Sequence, residues 1–437
     1  MNKIKSPAVA GMFYPDSKSE LQNLFNSWDT AMQFDTNYIS RLVIAPHAGY
    51  IYSGKCAFSA LRHIRAKNIF IFSPAHKEFV ENAIKCDYNA FLTPMEQVST
   101  NINILSKLDL NTKNSAYAKE HAIEVQLPIL QYFLKNDFNI IPIIVGANGK
   151  EDVFKIIDKY WSDEECAFVI SSDLSHYLND KQALSLDNIT AQMIEASDSS
   201  KFHTEQACGC VSISAALDFA KKRNFSFIRL NMLNSSAATH DKSHVVGYGA
   251  WLLYEGDKNS YIAQFYPDIL REIAYQSIKN KGRINIRSYP EVLNTLGASF
   301  VTLEKHGDLR GCIGSPIAHQ PLILDLIQNA CSAAYRDPRF LPLTLDELSD
   351  IEIKISLLDE PKEIIFTDEE DLLNKITPHK DGIIIQDGPY RALYLPSVWE
   401  QLDDKKLFLN SLKQKAGLKS DYFSNTLKAF RFRSEYI

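Results

Sequence analysis

The sequence predicts two domains of different construction: an α/β domain with a mainly parallel sheet over residues 1–258, then an α+β domain over 264–437. Three observations carry this expectation. The first half sets short, near-continuous apolar runs between amphipathic stretches, as parallel strands covered by helices on both faces require. The second half alternates apolar and polar residues within its strand-like runs, the mark of antiparallel sheet with one wet face. Between them, "YEGDKNSYIAQFYPD" (254–268) turns polar and small and ends near a proline, which places a boundary near residue 258. A chain of 437 residues also exceeds what one ordinary core organises.

In chain order, "RLVIAP" (41–46), "NIFIFSP" (68–74), "FNIIPIIVGA" (138–147) and "CAFVISS" (166–172) read as buried strands. "HAIEVQLPILQYFLKN" (121–136) and "DVFKIIDKYWSD" (152–163) read as covering helices, and "SHVVGYGAWLLYEG" (243–256) as a strand that closes the sheet. Past the boundary, "FYPDILREIAYQSIKN" reads as a helix starting after Pro267, with Ile269, Leu270, Ile273 and Ile278 on one stripe. "IEIKISLLDEP" (351–361) is a half-buried strand, "DGIIIQDGPYRALYLP" (381–396) a hairpin about Asp387-Gly388, and Thr344 with Glu347 a capping box.

Hydrophobic content of 45% and charged content of 23% are those of a globular protein. A net charge of -6 offers no electrostatic reason for a nucleic-acid or anionic-membrane partner. Seven cysteines, odd in number and without a CxxC pair, fit free thiols in a reducing compartment. The start, "MNKIKSPAVAGMFYPDS", lacks the apolar stretch of a secretory signal, and no run approaches the ~18 apolar residues of a membrane span. The expectation is a cytoplasmic protein.

Histidine carries the functional signal. Eight of the 11 histidines precede residue 258, and three strand-like runs end in small or polar residues followed by one: Pro46-His47, Pro74-Ala75-His76, and Ser172-Asp173 with His176. Ligands bind outside the carboxyl ends of parallel strands, so these imidazoles are placed to converge. A metal site needs a further donor, for which Asp173, Glu124 and Cys208 are candidates. A carboxylate would give the facial arrangement of non-haem iron oxygenases; a thiolate would suit zinc, copper or iron. Spacing leaves that choice open. Asp173 is also placed to cap a following helix, which would set His176 in its first turn as a neutral base. His121 and Glu124, three apart, share one face if that segment is helical and are further acid–base candidates.

"SPAVAGMFYP", "APHAGYIYSG", "SPAH", "EHAIEVQLP", "SSDLSHY", "ACG" and "VVGYGAW" follow one another along residues 6–251. Together they resemble the Memo family, the B component of the AmmeMemoRadiSam system. The resemblance implies a fold similar to class III extradiol dioxygenases of the LigB type. It implies a divalent metal, iron in the first place with copper or zinc as alternatives, held by His47, His76 and Cys208. Asp173 and His176 would line the same cleft, His176 matching the dioxygenases' acid/base histidine.

The second domain, with "GDLRGCIGS" (307–315) and "AYRDPRFLPL" (334–343), resembles the AMMECR domain, the A component of that system. Both components recur beside a radical SAM protein, which the resemblance implies as a partner. In physical terms, two glycines around Cys312 allow a tight turn exposing backbone N–H groups and one thiol. Arg310 would be free to hold a carboxylate or phosphate, and Cys312 would be nucleophilic if its pKa were lowered. Arg336, Asp337 and Arg339 read as a local charge cluster at a helix end. The expected function is a mononuclear metal-dependent oxidoreductase acting on a small-molecule or peptide substrate. The alternatives are a metal- or peptide-binding adaptor and a Cys312-dependent transferase or hydrolase.

Overall fold

Four of the apolar runs form the strands Leu42–Ala45, Asn68–Pro74, Asn139–Val145 and Cys166–Ser171 in a computed structural model that describes residues 3–32, 34, 36–135, 137–285 and 289–437. Asn139–Val145 pairs with Asn68–Pro74, that strand with Cys166–Ser171, and that in turn with Leu42–Ala45, all parallel. Every residue in the four except Asn139 is buried, which is why the runs lack alternation. Phe70 and Trp161 both stack on Phe168, with ring centres 5.2 and 5.9 Å away, under the helix Lys150–Tyr160.

The whole sheet, of 12 strands among the described residues, is mixed rather than mainly parallel. Val245–Tyr254 runs antiparallel against both Leu42–Ala45 and Ser226–Asn234. Ser226–Asn234 and Val245–Tyr254 are joined by a short connection, and only antiparallel neighbours tolerate one. The expected helix over 121–136 is shorter. One 3₁₀ turn, Glu124–Gln126, leads into the α-helix Leu127–Leu134, which starts where Pro128 can stand without an N–H. No helix among the described residues is long and apolar enough to cross a membrane.

The chain folds as two units, Met1–Lys258 and Asn259–Ile437, so the break falls where the sequence turns polar. In the second, the helix Pro267–Lys279 buries Leu270, Ile273 and Ile278. One antiparallel sheet runs Asp308–Gly314, Leu296–Lys305, Ile351–Leu358, Ser434–Tyr436, with the helix Leu322–Tyr335 packed on it. A second contains Lys362–Ile364, Lys428–Phe432, Gly382–Asp387 and Tyr390–Tyr394 in that order. The hairpin forms with Asp387 opposite Tyr390 and Gly388 at φ +54°. The Thr344–Glu347 capping box is present, on a 3₁₀ turn.

The "LRGCIG" segment is not a turn. It lies within the extended strand Asp308–Gly314, and its glycines serve close packing. A Cβ on Gly311 would stand 2.2 Å from the Ala333 carbonyl oxygen of the covering helix, and one on Gly314 would meet the Phe300 ring. Gly311→Ala is therefore expected to destabilise this unit by about 1–3 kcal/mol, the usual cost of overpacking against backbone. Urea denaturation checks it; an unchanged midpoint would refute the packing role.

Candidate metal centre

His47 follows the strand Leu42–Ala45, His76 follows Asn68–Pro74, and Asp173 follows Cys166–Ser171. These three strands are parallel neighbours, so their carboxyl ends share one edge of the sheet. His121 enters from the loop ahead of Glu124–Gln126, with the Phe13 ring 5.0 Å from its own. One ligand atom from each of His47, His76 and His121 lies within 4.8 Å of the other two.

Hydrogen bonding decides which ring nitrogens face that centre. The Ser171 hydroxyl gives its single proton to the Ala122 carbonyl at 2.7 Å. It must therefore accept from Gln126 Nε2 at 2.8 Å and from His47 Nδ1 at 2.9 Å. His47 thus carries its proton on Nδ1 and a lone pair on Nε2. His76 Nδ1 lies 2.9 Å from Glu120 Oε1, an acceptor, so its Nε2 lone pair is free as well. Glu120 also accepts the backbone N–H groups of His76, His121 and Ala122. Burial alone would raise its pKa; the His76 hydrogen bond and charge, with those N–H groups, outweigh it and hold Glu120 at about 2.

His47 and His121 are held neutral. Burial, then the charge of His76, lowers His47 well below its ordinary value; burial, then the charge of His47, brings His121 to about 4. Neutral imidazole is the form that binds metal.

Cys208 comes from the turn before the helix Cys210–Arg223, where Gly209 lets the chain approach Ser172; a Cβ there would stand 2.7 Å from Ser172 Cβ. Its Sγ lies 3.4 Å from His47 Nε2 and accepts the Asp173 N–H at 3.2 Å. The sulfur stands beside His47, outside the group of three nitrogens. Burial and the Asp173 charge push its pKa up, so a thiolate here needs a cation in the cleft.

Asp173 does not cap a helix. Leu174 donates to the Gly247 carbonyl and Gly247 to the Ser175 carbonyl, which draws residues 174–178 into the sheet instead. The next helix starts at Asp180, capped by Asn179. Asp173 Oδ1 accepts the His47 N–H at 2.8 Å, and its Oδ2 lies 3.9 Å from His47 Nε2. His176 opens the short strand His176–Leu178, partly exposed and near enough for its charge to act on His47 and Asp173. Its neighbour Tyr177 holds a left-handed backbone at φ +60°, a strained conformation for an aromatic residue.

Glu124 is turned away from the imidazoles, against the expectation that it shares a helical face with His121. Its oxygens accept from Lys5 Nζ (3.0 Å), the N–H groups of Ala8 (2.7 Å) and Val9 (2.9 Å), and Tyr14 OH (2.7 Å). It fastens the N-terminal segment. In the second unit, Arg310 is not a free guanidinium: Nε and Nη2 lie 3.4 and 3.3 Å from the two Glu347 oxygens. Asp337 and Arg339 pair just past the end of the helix Leu322–Tyr335.

Glu120, Ser171 and Gln126, which orient the rings, have no role in the sequence reading. The usable signal was the adjacency of Glu120 to His121, since metal-ligating imidazoles commonly rest on a carboxylate. Glu120→Gln is expected to weaken metal affinity by about 10–100-fold, the range for such outer partners. Competition against a chelator measures it; an unaltered affinity would remove Glu120 from the site.

Residues 5–252 match the family described as Memo-like protein, and residues 268–437 the family described as AMMECR1. A MEMO1 family protein of Thermoplasma acidophilum is 32% identical over 263 residues, covering 56% of this chain and 97% of its own. A MEMO1 family protein of Aquifex aeolicus is 30% identical over the same length and coverage. Protein MJ0810 of Methanocaldococcus jannaschii is 41% identical over 157 residues, 35% of this chain and 78% of its own. The crystal structure of an uncharacterized protein from Pyrococcus horikoshii, PH0010, matches at 32% identity and TM-score 0.37, over 38% of this chain and 88% of its own. With its histidine-bearing motifs folded around one cleft and more than half of its length matched, the chain belongs to the Memo family and carries an AMMECR1 domain after it.

Proposed function

We propose that the Memo-like unit binds one divalent metal ion through His47, His76 and His121, with the Cys208 sulfur as a fourth donor, and acts as an oxidoreductase. The carrying observation is that His47 and His76 both have their Nδ1 protons committed to acceptors, which leaves Nε2 lone pairs free beside a third imidazole. A donor set of imidazoles with a thiolate fits iron, which we assign, and also accommodates copper or zinc. When bound, the ion supplies a redox-active or Lewis-acidic centre.

The chain's own residues do the rest. Asp173 holds the main chain of His47 in place, and Glu120 fixes the plane of His76. His176, at the partly exposed margin, accepts a proton from a bound small-molecule or peptide substrate. The resemblance of the motifs to the Memo family, which implies a fold similar to class III extradiol dioxygenases of the LigB type, favours oxidative chemistry over an adaptor role. Joining a Memo-like unit to an AMMECR1 unit supports a radical SAM protein as partner, and the seven free cysteines suit the cytoplasm.

The test begins with metal analysis of anaerobically purified protein, wild type beside Cys208→Ser. Wild type is expected to hold one ion per chain, and the serine variant to lose the sulfur-to-metal absorption band. O₂ uptake over a panel of catechols should then depend on His176. Protein that takes up no divalent ion would overturn the reading; a bound ion with no O₂ uptake would replace the oxidoreductase by the adaptor.

A further inference from the structure

The second unit leaves part of a sheet edge open. Ile351–Leu358 pairs along its whole length with Leu296–Lys305, but on its other side Ser434–Tyr436 covers only Ser356–Leu358. Ile437 extends that cover by one residue, exchanging N–H and carbonyl bonds of 2.9 Å with Ile355. Residues 351–354 have no strand beyond them among the described residues. Alternate residues of an antiparallel strand turn their main-chain groups to the same side, so Ile353 presents its N–H and C=O outward as Ile355 does. Ile351 presents its C=O there too, its N–H being taken by the Leu348 carbonyl of the preceding 3₁₀ turn.

This edge forms one wall of a groove of about 650 Å³. The helix Pro267–Lys279 forms the other, with Asp268, Arg271, Glu272 and Tyr275. The half-buried Ile351 and Ile353 and the exposed Tyr275 give it apolar surface. Its charge is one-sided. Asp268 pairs with Arg271 at 3.3 Å, and Lys354 with Glu304 at 2.6 Å, which leaves Lys354 3.9 Å from Glu352. Glu272 accepts from the Gln276 amide and has no cation beside it among the described residues. Glu272 and the exposed Glu352 thus lack a cation of their own. Charged side chains on an open edge ordinarily deter pairing. Here the uncompensated charge has one sign, so it deters acidic strands and favours basic ones.

We propose that this edge receives an extended basic peptide as an added antiparallel strand in line with Ser434–Tyr436, with apolar residues beside Ile351 and Ile353 and a lysine or arginine opposite Glu352. The residue opposite Ile353 exchanges both main-chain bonds with it, and the one opposite Ile351 donates to its carbonyl. A second copy of this chain fits less well. The two-fold register that joins Ile351 to Ile353 sets Glu352 against its own copy, and the Ile351 N–H is already committed.

The probes are fluorescein-labelled, amidated Val-Lys-Val-Lys-Val and Val-Glu-Val-Glu-Val, titrated against the full chain by fluorescence anisotropy, with amide deuterium exchange locating the bound segment. The lysine peptide is expected to bind about tenfold more tightly than the glutamate peptide, the order set by exchanging opposite for like charges across a strand pair. It should also slow exchange at Ile353. Glu352→Lys, at an exposed side chain, should reverse the preference. Ile353→Pro removes the outward N–H, spares the bonds to Leu296–Lys305, and should abolish binding of both peptides; if that variant unfolds, Glu352→Lys decides. Equal affinity for the two peptides, a preference unmoved by Glu352→Lys, or binding without slowed exchange at Ile353 overturns the proposal. Exchange at Ile353 that slows with protein concentration in the absence of peptide overturns it too, and assigns the edge to a second copy.

Discussion

Replacing His47 by alanine is expected to empty the metal centre, with affinity falling by more than the ~100-fold upper range seen for outer partners of a ligand. His47 is the innermost of the three imidazoles, 1% exposed, and ring contacts of 5.1 and 5.6 Å join it to His76 and His121. It is also the imidazole whose Nε2 faces the Cys208 sulfur at 3.4 Å. Its removal takes away one nitrogen and the group that sets the sulfur's position, while water replacing the ring brings no anchoring by Ser171. Metal content after dialysis and a chelator-competition titration measure the effect, with the thermal midpoint of the metal-free protein confirming that the fold persists. Equal metal in variant and wild type would place the ion elsewhere and end the proposal.

Glu124→Gln should act in the opposite way, costing stability and sparing the metal. Lys5 and Glu124 are 3% and 2% exposed, and the carboxylate is the acceptor for two backbone N–H groups and the Tyr14 hydroxyl besides. Removing the negative charge leaves a buried ammonium without its partner, a loss of about 3–5 kcal/mol. The uncoupled N-terminal segment should then become accessible to proteolysis before the rest of the unit. A double variant, Lys5→Met with Glu124→Leu, is expected to recover most of the stability, because no buried charge remains uncompensated. Urea midpoints of the two variants, together with their metal content, decide it. Metal loss at full stability would return Glu124 to the site.

These two glutamates show where sequence reading stopped. Glu120 and Glu124 stand four apart in "KEHAIEVQLP", equally plausible as partners of His121. The loop before Pro128 turns Glu120 to His76 and Glu124 to the segment of Lys5 and Tyr14. Nothing in the segment itself foretells this, since His76, Lys5 and Tyr14 all lie far away in the chain. Asp173 failed as a helix cap for a related reason. An aspartate after a strand is a sound local cap signal, but here sheet bonds between Leu174, Ser175 and Gly247 outcompeted a helix turn. In "LRGCIG" the glycines matched a turn equally well, until the Ala333 carbonyl and the Phe300 ring showed what their missing side chains make room for.

By itself the sequence determined the buried strands at the centre of the first unit, the hairpin at Asp387-Gly388, the helix after Pro267, and the placing of His47 and His76 at strand ends. Each follows from periodicity or from a backbone preference of Gly, Pro or Asp, which act within a few residues. Only the tertiary structure decided that His121 joins them, that Glu120 and Ser171 hold the rings by Nδ1, and that Cys208 stands against His47. Those choices depend on which polar group meets which once water is excluded, and that is settled by packing between segments tens to hundreds of residues apart.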